Sequence, residues 1–186
     1  MTKRFGEPRP TSFAATTRLT FFDGPLELGW VHAGATADFL GTFFAGLGAR
    51  AGLDGNDARH GIAYLVNELV ENAVKFRAPD AGEVVLETRL DGSTFELLLT
   101  NIAAAETAAR FGSILDEIVS RDPGELLIER IEANAADDSS TGSSLGILTL
   151  MNDYGVRLSW AFEPDARGTL VRVETYASLP LSKRRS

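Results

Sequence analysis

The sequence predicts an α+β fold, a two-layer sandwich with helices on one face of a mostly antiparallel mixed sheet. Three observations carry this. Strand-like runs come in neighbouring pairs joined by Gly and Asp turn signals, not singly in alternation with helices. Between the pairs lie stretches whose apolar residues recur at helical spacing. No apolar run approaches the ~18–20 residues that a membrane span requires, so the apolar faces must bury one another. The expected order is β-β-α-α-β-β-α-α-α-β-β.

Residues 1–17 are polar and contain prolines, and read as a flexible N-terminal segment. Leu19-Thr-Phe-Phe-Asp-Gly reads as a strand ending in a turn, and Leu26–His32, after Pro25, as a second short strand. From Thr36 the period lengthens: Phe39, Leu40, Phe43, Phe44 and Leu47 give a helix closed near Gly52. Asp54 or Asn56 caps the next helix, which runs to about Arg77. Pro79-Asp-Ala-Gly breaks the chain. Glu83–Leu90 alternates as a strand, Asp91-Gly92 signals a hairpin, and Thr94–Asn101 is the partner. Helices are expected around Thr107–Ser120 and Gly124–Ala135, the second started by Pro123. Asp137-Asp-Ser-Ser-Thr-Gly-Ser-Ser is a polar loop before a short apolar helix, Leu145–Tyr154, stopped by Gly155. Val156–Phe162 and Thr169–Tyr176 form a last hairpin. One domain is expected over 18–180, followed by a basic tail, 181–186.

Composition narrows the function classes. The 186 residues suit one domain and bury roughly two-thirds of the unfolded surface. With 44% apolar and 24% charged residues, disorder and coiled coil are poor readings. There is no Cys, hence no disulfide, thiolate zinc site or cysteine nucleophile. The N-terminus has no apolar signal stretch, so a cytoplasmic protein without membrane attachment is the expectation. Net charge is −8, with basic residues gathered at Lys3, Arg4, Arg9 and Arg18 and again at Lys183, Arg184 and Arg185. An acidic body repels a phosphate backbone, so no nucleic-acid partner is expected. His32 and His60 are isolated and make no metal site.

The segment Gly61–Phe76 concentrates the chemistry. Ile62, Leu65, Leu69, Ala73 and Phe76 form an apolar stripe, and Glu68, Asn72 and Lys75 line up beside it. A carboxylate, an amide oxygen and an ammonium at the edge of a core could hold a hydrated Mg²⁺ and the phosphates it bridges. On spacing alone they could equally be a solvated face with a Glu71–Lys75 pair.

Asn67-Glu-Leu-Val-Glu-Asn-Ala-Val-Lys-Phe resembles the N box of the GHKL ATPases, the superfamily of sensor histidine kinases, anti-sigma-factor serine kinases and gyrase. The resemblance implies a Bergerat-type ATP-binding fold, with Asn72 binding Mg²⁺, Glu68 acting as base, and Lys75 near the nucleotide phosphates. The later Thr141-Gly-Ser-Ser-Leu-Gly resembles the family's glycine box opening a helix, with Gly142, Leu145 and Gly146 matching and Ser144 in place of the middle glycine. Glycines there let backbone amides approach phosphate oxygens. Thr169 resembles the strand threonine that supports adenine. The box that usually reads Asp-x-Gly-x-Gly is altered: the chain reads Thr100-Asn-Ile-Ala-Ala-Ala. Asn101 stands either as the adenine acceptor or as a strand-end turn residue.

The resemblance spans about residues 20–178. With the N box beginning already at Asn67, it implies a stand-alone kinase of the anti-sigma-factor or SiaB type, not a complete sensor kinase. That implies ATP and Mg²⁺ as cofactors and Ser/Thr phosphorylation of a small, anti-anti-sigma-like partner protein in a bacterial signalling switch, and leaves a homodimer open. The alternative is a non-catalytic module of the same fold that sequesters a regulatory partner.

Overall fold

Turn chemistry and alternation set the frame of the sheet. The computed structural model describes residues 2–7, 12–21, 30–78, 82–136 and 145–184. Its elements are β1 (Lys3–Gly6), β2 (Thr17–Phe21), α1 (Trp30–Arg50), α2 (Gly55–Phe76), β3 (Val84–Asp91), β4 (Thr94–Ala104), α3 (Ala105–Ser120), α4 (Pro123–Ala136), α5 (Leu145–Asn152), β5 (Arg157–Pro164) and β6 (Leu170–Pro180). The strands form one six-stranded sheet in the order β1-β5-β6-β4-β3-β2. Every neighbouring pair is antiparallel, so the mixed sheet expected above gives way to a purely antiparallel one. Gly92, at φ +58°, makes the β3–β4 turn that its Asp-Gly signal predicts.

Alternation then sorts the two faces. On β4, Phe95, Leu97, Leu99, Asn101 and Ala103 are buried, and on β6 Val171, Val173, Thr175, Ala177 and Leu179 are buried beside them. This face meets α1, α2 and α3. Phe44 of α1 packs edge-on to Phe95 at 4.9 Å, and α2 lays Ile62, Leu65, Leu69 and Ala73 on the sheet. At Gly41 α1 comes so close to α2 that an added Cβ would stand 2.8 Å from the Arg59 carbonyl oxygen.

Local caps agree with the expected starts. The Asp54 carboxylate accepts from the Asn56 and Asp57 N–H groups at 3.0 and 3.1 Å. Asp122 does the same for Gly124 and Glu125 ahead of α4, with Pro123 in the first turn.

Three sequence expectations change. Trp30, Val31 and His32 belong to α1 and not to a strand; the rest of the expected strand lies outside the described residues. Within 1–17, Lys3–Gly6 is an edge strand, because one buried residue anchors it: Phe5 packs edge-on to Phe162 at 5.2 Å. In the expected basic tail, Leu181 is buried, Lys183 pairs with Leu53, and the Arg184 N–H reaches the Gly52 carbonyl at 3.0 Å. No helix among the described residues is long and apolar enough to cross a membrane.

Candidate functional site

The polar stripe of α2 divides on folding. Asn72 lines a cavity between α2, the sheet and α3; Glu68 is half-buried outside its walls, against Gly146, and Lys75 is exposed over the Phe76 ring. Lys75 is therefore not a wall of the cavity. Glu71 accepts a hydrogen bond from Asn67 at 2.8 Å, and no Glu71–Lys75 pair forms among the described residues.

The cavity floor is the buried face of the central strands, with Leu99 and Asn101 of β4, Thr175 of β6 and Trp160 of β5. Leu69, Asn72 and Phe76 roof it, and Thr107 and Phe111 of α3 close its front. Asn101 is the residue to weigh. It is 4% exposed on the core face of a central strand, and it is one of the cavity's walls. An amide on a cavity wall has an acceptor and a donor to offer a water or a ligand there. Asn101 lies within β4, paired with Val173, so the turn reading offered for it does not hold.

The room inside is about 20 Å³, enough for one water molecule. The reason lies directly after Asn101. Ala103 and Ala104 end β4, and α3 starts at Ala105, a good helix former, with no intervening loop. Its Phe111 stacks on Phe76 at 5.4 Å and meets Trp160 edge-on at 6.3 Å. Gly112 lets the helix settle on β1: an added Cβ would stand 3.3 Å from the Phe5 ring.

Glu68 faces the start of α5. A Cβ added at Gly146 would overlap its carboxylate, so the missing side chain at Gly146 makes room for Glu68. Burial, then the charge of Glu71, push the Glu68 carboxyl above its ordinary range. Beside it Tyr64 stacks on Tyr154 at 5.1 Å, and burial and the Glu68 charge raise its phenol. Leu145 begins α5 and is half-buried against the core. Gly142 and Ser144 lie outside the described residues.

Thr169 sits in the β5–β6 turn, exposed, its hydroxyl and N–H donating to Asp165. It is not among the cavity walls; the β6 threonine that is, Thr175, lies six residues along the same strand's alternation. The alternation Val171, Val173, Thr175 carried that signal, but the glycine-flanked Thr169 drew the match. No group of three or more His, Asp or Glu side chains among the described residues could hold a metal ion. A cation at Asn72 would lean on phosphate and water oxygens.

No protein-family model, curated protein or solved structure matches the chain.

Proposed function

We propose that the chain is an ATP-binding regulatory protein with a Bergerat-type architecture, acting as a Ser/Thr kinase on a small partner protein. One observation carries this reading: Asn72 and Asn101, far apart in sequence, line one cavity. The donor set fits a nucleotide with its cation. Asn101 offers an acceptor and a donor to a purine edge, with the Thr175 hydroxyl beside it, and Asn72 offers an oxygen to Mg²⁺. The present room does not admit the base, so binding needs Phe111 and Thr107 to withdraw. ATP supplies the phosphoryl group; phosphoryl transfer asks the protein chiefly for positioning and charge neutralisation. Glu68, its carboxyl raised by burial above its ordinary range, orients the accepting hydroxyl and takes its proton.

The second reading, a sequestering module without turnover, rests on the closed cavity itself. Thermal melts with Mg-ATP, Mg-GTP and EDTA, run beside radiolabel transfer to co-purifying proteins, separate the two. Saturating Mg-ATP at a hundredfold excess over its Kd should stabilise the fold by about 2.7 kcal/mol. No shift at millimolar Mg-ATP sinks the nucleotide reading; a shift without transfer to any bound partner favours the module.

A further inference from the structure

Helix α1 turns one face to the sheet and α2 and leaves the other bare. Its 21 residues carry two charges, Asp38 and Arg50, in a chain that is 24% charged. The bare face holds three large apolar side chains a turn apart: Phe39, 54% exposed, Phe43, 39%, and Leu47, 36%. Phe39 and Phe43 stack on each other at 6.0 Å, forming one ridge. Contiguous apolar exposure rimmed by polar groups marks an interaction surface.

Beside the ridge runs a hollow. Thr42 and Gly46 are exposed on the same face, and a Cβ added at Gly46 would meet nothing within 4 Å. Glycine inside an exposed helix costs roughly 0.5–1 kcal/mol against alanine, so its presence wants a reason. Gly41 and Gly48 have theirs within the chain, the one against the Arg59 carbonyl and the other against Leu53. Gly46 has none there.

We propose that this face binds a second copy of the chain through antiparallel pairing of the two α1 helices. A two-fold interface requires a surface that complements itself, and this one carries knob and hole on one stripe. A two-fold axis between Thr42 and Phe43 sets Phe39 of each copy over Gly46 of the other and brings the two Phe43 rings together. The charges choose the direction. A parallel pair would stack Asp38 on Asp38 and Arg50 on Arg50. The antiparallel pair places each Asp38 about one helical turn along from the partner's Arg50, within reach of its long side chain. Neither Asp38 nor Arg50 makes an ion pair among the described residues of its own chain. This pairing is independent of the nucleotide reading.

The test is the mass of the full chain in solution by sedimentation equilibrium, over a concentration series. The wild type should reach twice the chain's 20.0 kDa. Phe39→Glu and Gly46→Leu should each weaken dimerisation at least about tenfold, as loss of a central aromatic contact does. Gly46→Leu is the sharper variant, because it fills space that is empty in the monomer and removes a helix glycine, so its melting temperature in dilute solution should hold or rise. Asp38→Arg and Arg50→Asp should each weaken the dimer, and the double exchange should recover it. A wild type that stays monomeric throughout overturns the proposal, whatever else covers this face. So does a dimer indifferent to both Phe39→Glu and Gly46→Leu, and so does a double exchange that fails to recover either single charge change.

Discussion

Asn72 and Asn101 face one cavity under different constraints. Asn72 is half-buried, whereas Asn101 is buried on the core face of β4. Asn101→Leu, which removes both polar groups of the side chain, should abolish the response of the melting temperature to Mg-ATP. A variant that still responds like the wild type would mean that the amide does not meet the nucleotide. Glu68 has a different task. Glu68→Gln should leave the ATP titration within a fewfold and lower phosphotransfer by about 10²–10⁴-fold, the usual weight of a general base. Because its carboxyl titrates above the ordinary range, the acid limb of the wild-type rate should lie above the usual carboxylate range and vanish with the substitution. Transfer at wild-type speed would make Glu68 a polar-face residue. Gly146→Ala should injure transfer in the same direction, by moving the Glu68 carboxylate, with little loss of stability. Of the cavity walls, Asn72 was legible from helical spacing and Asn101 from its position at the end of an expected strand. Glu68, Lys75 and Thr169 lie outside those walls, because periodicity places a residue on a face but does not fix how far along a strand or how deep a side chain ends.

At the scale of elements, α3 decides what the cavity can hold. Its first turn follows β4 directly, and Phe111 locks it between Phe76, Trp160 and Phe162. Truncating Phe111 to Ala should cost about 3–5 kcal/mol of stability, as for large aromatics in cores. The same change opens the front of the cavity. Where a closed state must open before ligand enters, apparent affinity falls by the competent fraction, so relaxing the lock should tighten ATP binding even as the melting temperature drops. Weaker ATP binding in Phe111→Ala would instead make the ring part of the site wall. The α3 helix itself was legible from its apolar period and its alanines; its inward packing was not, since that depends on Phe5 and Trp160 arriving from distant strands. β1 was missed for a related reason. Four residues with a single buried side chain give no alternation to detect, and its pairing with β5 joins Lys3 to Phe162 across nearly the whole chain. The expected element order nevertheless matches the observed one. β1 took the place of the segment before α1, so the agreement in count hides a change of identity at the N-terminus.

The whole molecule has a second buried face. β1 and β2 lie at opposite edges of the sheet, and ahead of β2 the segment 12–16 brings Phe13 onto the face that carries Arg89, Glu96 and Tyr176. Phe13 packs against Tyr176 at 6.3 Å and under the Arg89 guanidinium at 4.9 Å. Beneath it Arg89 and Tyr176 both donate to the Glu96 carboxylate. Burial pushes that carboxyl up, but the two hydrogen bonds and the Arg89 charge outweigh it and hold it below its ordinary range. Burial first, then the Glu96 bond and charge, raise the Tyr176 phenol to about 12. The signs give two limbs to the stability curve. The Glu96 contribution is full above the usual carboxylate pKa of 4.5 and is lost as pH falls through its lowered folded value. The Tyr176 contribution is full below 10.0 and is lost as pH climbs from there to about 12. Tyr64, also raised, adds to the alkaline limb, so Tyr64→Phe serves as the reference. Tyr176→Phe should remove its share of the alkaline fall. It also takes one donor from Glu96, which should cost about 1–3 kcal/mol at neutral pH and shift the acid limb to higher pH. Urea midpoints measured across the pH range read both ends at once. A variant whose alkaline limb flattens while its acid limb stays put would show that Arg89 alone fixes the carboxylate, and that phenol and carboxylate titrate independently.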